Sequence, residues 1–93
     1  MAQQSLPITN FQTADGTAVA NGQLTIRLNI DGNVNDTSIN TRSVTVTLDT
    51  NGAPVGNPQF WPNNEISPTG TYYVINVYEK NGQLVGGPLS VTV

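Results

Sequence analysis

The sequence predicts an all-β protein, a single antiparallel β-sandwich of about six to seven strands in which residues 1–93 form one domain. Three observations lead there. Apolar residues recur with period two, and no window carries the three-to-four-residue stripe of an amphipathic helix. Turn dipeptides of the Asp-Gly and Asn-Gly type punctuate the chain about every 8–12 residues. At 93 residues the chain is long enough for one modest core and too short for two.

Taken in chain order, a weak strand over Ile8–Gln12 leads into two turn signals, Asp15-Gly16 and Asn21-Gly22. The clearest strand is Gly22–Ile30, where Leu24, Ile26, Leu28 and Ile30 share one face and Thr25, Arg27 and Asn29 the other. Asp31–Arg42 is polar and reads as a loop. Ser43–Leu48 alternates again, with Val44, Val46 and Leu48 inward. Asp49-Thr50-Asn51-Gly52 then turns the chain, with Asn51 and Gly52 expected at positive φ. Ala53–Val55 is a short return strand, limited by Pro54, which has no N–H for a ladder. Thr71–Lys80 pairs across Asn81-Gly82 with Gln83–Val93. Gly86-Gly87-Pro88 marks a bulge in that last strand, after which Leu89, Val91 and Val93 resume alternation.

Composition excludes much chemistry. Cys is absent, so no disulfide or thiolate site exists, and His is absent, which removes the usual general base and the commonest metal ligand. Three basic against six acidic residues leave a net charge of −3, a poor match to nucleic acid or to an anionic membrane surface. Charged residues make up only 10% of the chain, so Asn, Thr, Gln and Ser must carry its solvation. Met1–Ser5 shows neither a basic n-region nor an apolar h-region, and no apolar run reaches the roughly 18 residues of a membrane span. The expectation is a soluble protein with no signal peptide.

No catalytic or metal-binding constellation emerges. Asp31-Gly32-Asn33-Val34-Asn35-Asp36 alternates oxygen-bearing side chains as a calcium loop does. An EF-hand needs Gly at its sixth position and Glu at its twelfth, and here those are Asp36 and Arg42. Asp15, Asp31 and Asp49 each sit at a turn, where Asp caps its own backbone, and a Ser or Thr nucleophile would lack a His base. The chain therefore reads as a non-enzyme with no cofactor and no metal. Asn35-Asp36-Thr37 matches the glycosylation acceptor pattern, which without a secretory signal is a chance match.

Aromatic residues supply the binding hint. On strand Thr71–Lys80, Tyr73, Ile75 and Val77 share one face; Tyr72, Val74, Asn76 and Tyr78 share the other. A sandwich buries one face of each strand against its own core, so Tyr72 and Tyr78 are expected exposed together, with Asn76 between them. Trp61, in Phe60-Trp61-Pro62, either plugs one end of the sandwich or forms a platform for a sugar ring. The candidate binding surface is thus Tyr72, Tyr78, Asn76 and Trp61.

Two resemblances bear on the type of sandwich. Ile66-x-Pro68-x-Gly70-Thr71-x-Tyr73-x-Ile75-x-Val77 resembles the corner and following strand of fibronectin type III modules, an immunoglobulin-like fold. By that likeness Tyr73 is the tyrosine corner, with its ring inward and its hydroxyl on a nearby backbone group. This chain carries one extra residue, Thr69, and lacks the Trp of that family's second strand. The segment Thr13–Ile26, with Asp15-Gly16 and Asn21-Gly22, is similar to transthyretin-like and invasin-like sandwiches and to small β-domains of bacteriophage tail and virion proteins. Together with Asp49-x-Asn51-Gly52, Phe60-Trp61-Pro62-Asn63 and Gly70-Thr71-Tyr72-Tyr73 it looks most like the phage group, over about two-thirds of the chain. The resemblance implies a non-catalytic structural or interaction module of a phage-like virion or tail. Such a module acts by protein–protein contact or self-association, through the Tyr72/Tyr78 face or strand edges such as Ile8–Gln12. The alternatives are a carbohydrate-binding module using the exposed aromatics, with a glycan as partner, and a cell-surface adhesion domain.

Overall fold

The computed structural model describes residues 3–93. Eight strands form in chain order: β1 (Gln4–Ser5), β2 (Gln23–Leu28), β3 (Gly32–Val34), β4 (Thr37–Ile39), β5 (Val44–Thr47), β6 (Gln59–Phe60), β7 (Tyr73–Tyr78) and β8 (Leu84–Val91). Among the described residues one 3₁₀ turn, Asn63–Glu65, is the sole helical element. Four strands make one antiparallel sheet in the order β5-β2-β7-β8, while β1 pairs with β6 and β3 with β4 in separate ladders.

Register shows why this sheet has one buried face. Leu24, Ile26 and Leu28 of β2 stand opposite Val77, Ile75 and Tyr73 of β7, so period-two alternation sends all six to the same side. They join Leu6, Phe11, Val19, Val34, Leu48, Phe60 and Ile66 in one core cluster. The second layer over that face is thin: the β1–β6 ladder, the β3–β4 hairpin, and connecting segments that carry Phe11 and Val19. Phe60 of β6 meets Tyr73 of β7 edge-on, ring centroids 5.5 Å apart, and links the two layers. The architecture is all-β with packed sheets.

Three turns share one construction. The backbone N–H groups of Thr13, Asp49 and Glu79 each donate to the carbonyl of the residue four on (Thr17, Ala53 and Gln83, at 2.8, 2.9 and 2.8 Å). Each loop closes through a left-handed glycine, Gly16, Gly52 or Gly82. This is a type I turn followed by a left-handed residue, the usual three-residue hairpin. The expectation that Asn51 also takes positive φ is corrected, because this turn needs left-handed backbone only at Gly52.

Several expected elements differ. Ile8–Gln12 is not a strand; only Gln12 forms a bridge, to Ala18. Ala53–Val55 reduces to a Leu48–Pro54 bridge. The polar stretch 31–42 contains the β3–β4 hairpin, turned at Asn35-Asp36 with Asn35 at φ 54°. The Asp31 carboxylate accepts from the Thr41 backbone N–H at 3.1 Å and closes its base. Ile30 was expected inward but is exposed, since β2 ends at Leu28 and the chain leaves the sheet. Gly86-Gly87 forms the expected bulge: the β7–β8 register shifts between Ile75 and Val77. A Cβ on Gly87, at φ +93°, would lie 2.5 Å from the Ile75 carbonyl oxygen. Among the described residues, no helix is long and apolar enough to cross a membrane.

Candidate functional surface

The expected site residues fall in different places. Tyr72 precedes β7 and is exposed; its backbone N–H donates to Asn29 Oδ1 at 3.0 Å, and its carbonyl accepts from the Asn29 N–H at 2.9 Å. Tyr78 closes β7 and is partly buried. They stand six positions apart, about 20 Å along a strand, so they share a face without forming one aromatic surface. Between them Val74 is buried, 8% exposed, although it faces away from the core cluster. Asn76 lies under the β8 bulge, where its Oδ1 would stand 3.1 Å from a Cβ on Gly87. Tyr78 does have an apolar neighbour, because its cross-strand partner in β8 is Leu84.

That neighbour belongs to a surface that sequence reasoning missed. β8 is an edge of the four-stranded sheet, and six of its eight residues are exposed. Leu84 is 51% exposed, and Val85 and Leu89 are exposed with it. No residue from Leu84 to Val91 is charged. The signal that pointed to an edge was Pro88, which cannot sit in a central ladder.

Trp61 lies at the other side of the molecule's core face. Phe60 and Pro62, its neighbours, are buried; Trp61 is half-buried and packs against the core cluster. Its carbonyl accepts the Tyr73 hydroxyl at 2.7 Å. Burial of the Tyr73 ring pushes its phenol pKa above the ordinary 10.0. Trp61 lines a groove of about 320 Å³ together with Arg27, Asn40, Arg42, Val44 and Gln59. The groove exists because β5 pairs with β2 only as far as Ile26, leaving Arg27 and Leu28 beyond its end. Arg27 Nη1 donates back to the Leu28 carbonyl at 3.4 Å. Val44 was expected inward; it projects to the core side opposite Ile26 but stays 50% exposed, since nothing is layered over it there.

Asn63 is a further residue that the sequence did not single out. Its Oδ1 accepts from the Val93 N–H at 2.8 Å, its Nδ2 donates to Thr71 Oγ1 at 3.1 Å, and its own N–H donates to the Val93 carbonyl at 3.1 Å. Both Asn63 and Thr71 are buried, so this amide fastens the end of the chain to the corner before β7. Its role is structural.

The fold and these two surfaces define a small all-β protein with an open sheet edge and a largely apolar groove that carries two arginines. No family model, curated protein or solved structure matches the chain.

Proposed function

We propose that this protein is a non-catalytic interaction module that works by protein–protein contact, and that its contact surface is the β8 edge with Tyr78. The observation carrying this reading is the exposure of Leu84, Val85 and Leu89 along a sheet edge with no charged residue. Edge strands are ordinarily protected by lysines, by proline or by a bulge, because unpaired N–H and C=O groups template further pairing. Here a bulge and Pro88 interrupt the middle of the edge, but Leu84–Val85 and Leu89 remain uncovered on either side. A second copy of this chain is the partner that best fits. An uncharged edge meets its own antiparallel copy without like-charge repulsion, so the same patch serves both sides of a two-fold contact. Side-by-side packing of copies is what a phage-like virion or tail requires, and the resemblance noted above supports that setting.

Sedimentation velocity over a wide concentration range tests this. A reversible dimer is expected in the unaltered protein, lost on Leu84→Lys/Leu89→Lys with the thermal midpoint unchanged. A protein that stays monomeric at millimolar concentration, or a dimer indifferent to both lysines, overturns the reading.

A further inference from the structure

We infer that the groove beside Trp61 is a binding site for a saccharide bearing a carboxylate, a site separate from the β8 edge and independent of its role. The chain has three basic residues, Arg27, Arg42 and Lys80, against six acidic ones. Two of those three line this groove, and none of the six carboxylates does. In a protein of net charge −3 this places the cationic groups where no internal anion meets them. Guanidinium forks bind carboxylates through paired N–H donors, which gives them both orientation and strength.

The remaining lining matches the rest of such a ligand. Trp61 offers a flat, partly exposed apolar ring, and Val44 a half-exposed methyl surface beside it. Those suit the C–H face of a sugar ring. Asn40 and Gln59 carry primary amides, each with both donor and acceptor, the pairing that vicinal hydroxyls satisfy. The volume of about 320 Å³ lies at the lower end of small-molecule sites, which suits one or two sugar units.

The single Trp makes the test direct, because its emission reports this groove alone. Tetragalacturonate and a sialic acid tetramer are titrated into the protein, with the fully methyl-esterified galacturonate as the uncharged control. At least one acidic sugar is expected to shift Trp61 emission, and rising salt is expected to weaken it. Arg27→Gln and Arg42→Gln, both at exposed positions, are each expected to weaken binding about tenfold, the loss of one charge-assisted contact. Trp61→Phe retains the apolar packing and, followed by calorimetry, is expected to weaken binding as well. Tyr72→Ala, outside the groove, is expected to leave it unchanged. Silence towards both acidic sugars overturns the assignment, as does equal affinity for the ester or indifference to both arginine substitutions. A response only to an acidic peptide overturns it too.

Discussion

The hydroxyl of Tyr73 donates to the backbone carbonyl of Trp61 across 2.7 Å, joining the middle of the sheet to the segment that enters the 3₁₀ turn. The same ring sits edge-on to Phe60 and stands opposite Leu28 in the ladder, so one residue spans both layers. Tyr73→Phe keeps the ring and removes only the hydrogen bond, for an expected loss of about 1 kcal/mol. Tyr73→Ala removes the ring as well and is expected to cost about 3–5 kcal/mol. Tyr72→Ala, at an exposed position, is expected to cost clearly less. Urea titration of the three variants decides the matter; equal losses for Tyr72→Ala and Tyr73→Ala would show the face assignment to be wrong.

Burial raises the Tyr73 pKa above 10.0, which gives a second, independent readout. The folded protein holds this proton more tightly than the unfolded chain does. The associated stability is therefore complete below pH 10 and fades as pH rises through the higher folded-state midpoint. Ultraviolet titration of the phenols is expected to show a late component that Tyr73→Phe deletes. If deleting Tyr73 instead removes a component at or below 10.0, the ring is not buried as described.

Asn63 anchors the C-terminus through its side chain, and its removal strands two partners at once. Asn63→Ala leaves the Thr71 hydroxyl, in a site only 3% exposed, without its donor and frees the Val93 amide. A loss of about 1–3 kcal/mol is expected for each buried group left unpaired. Hydrogen exchange offers the sharper check, since protection of the Val93 amide should fall far more than that of the Ile26 amide in β2. Uniform loss across both would mean that Asn63 supports the whole fold and not that end of it.

Side-chain alternation made the central pairing legible in the sequence, because Leu24, Ile26 and Leu28, and Tyr73, Ile75 and Val77, recur with period two, even though Val74 makes the opposite face of the second strand partly apolar as well. What alternation settles is the side of the sheet, and not what lies over it. Val44 and Ile30 follow the inward rhythm yet stay exposed, one at an edge with no covering layer and one past the end of its strand. The β3–β4 hairpin went unread because its strands are three residues each and polar, held by backbone exchange between Asn33 and Ser67 at 2.9 Å. Pairing with a partner 34 positions away leaves no local trace. The groove beside Trp61 was hidden for the same reason: it draws Arg27, Arg42 and Gln59 together from separate strands and loops.

Turns were the most legible feature, since Asp-Gly and Asn-Gly carry their geometry in two residues. The loop at Asp15 yields the last prediction. The Asp15 carboxylate accepts from the Thr13 hydroxyl and, at 3.1 Å, from the Thr17 backbone N–H. These bonds, the Thr13 hydroxyl foremost, hold its pKa below the ordinary 3.8 although the group is fully exposed. A lowered folded-state pKa means that the bonding is complete above the ordinary value and is lost as pH falls through the lower midpoint. Carboxyl-detected NMR titration should therefore place Asp15 below 3.8, and Thr13→Val should move it upward. Asp15→Asn retains an acceptor oxygen and loses the titration, so protection of the Thr17 amide should persist into acid in that variant and fade in the parent. An Asp15 midpoint that ignores Thr13→Val would sink this account of the turn.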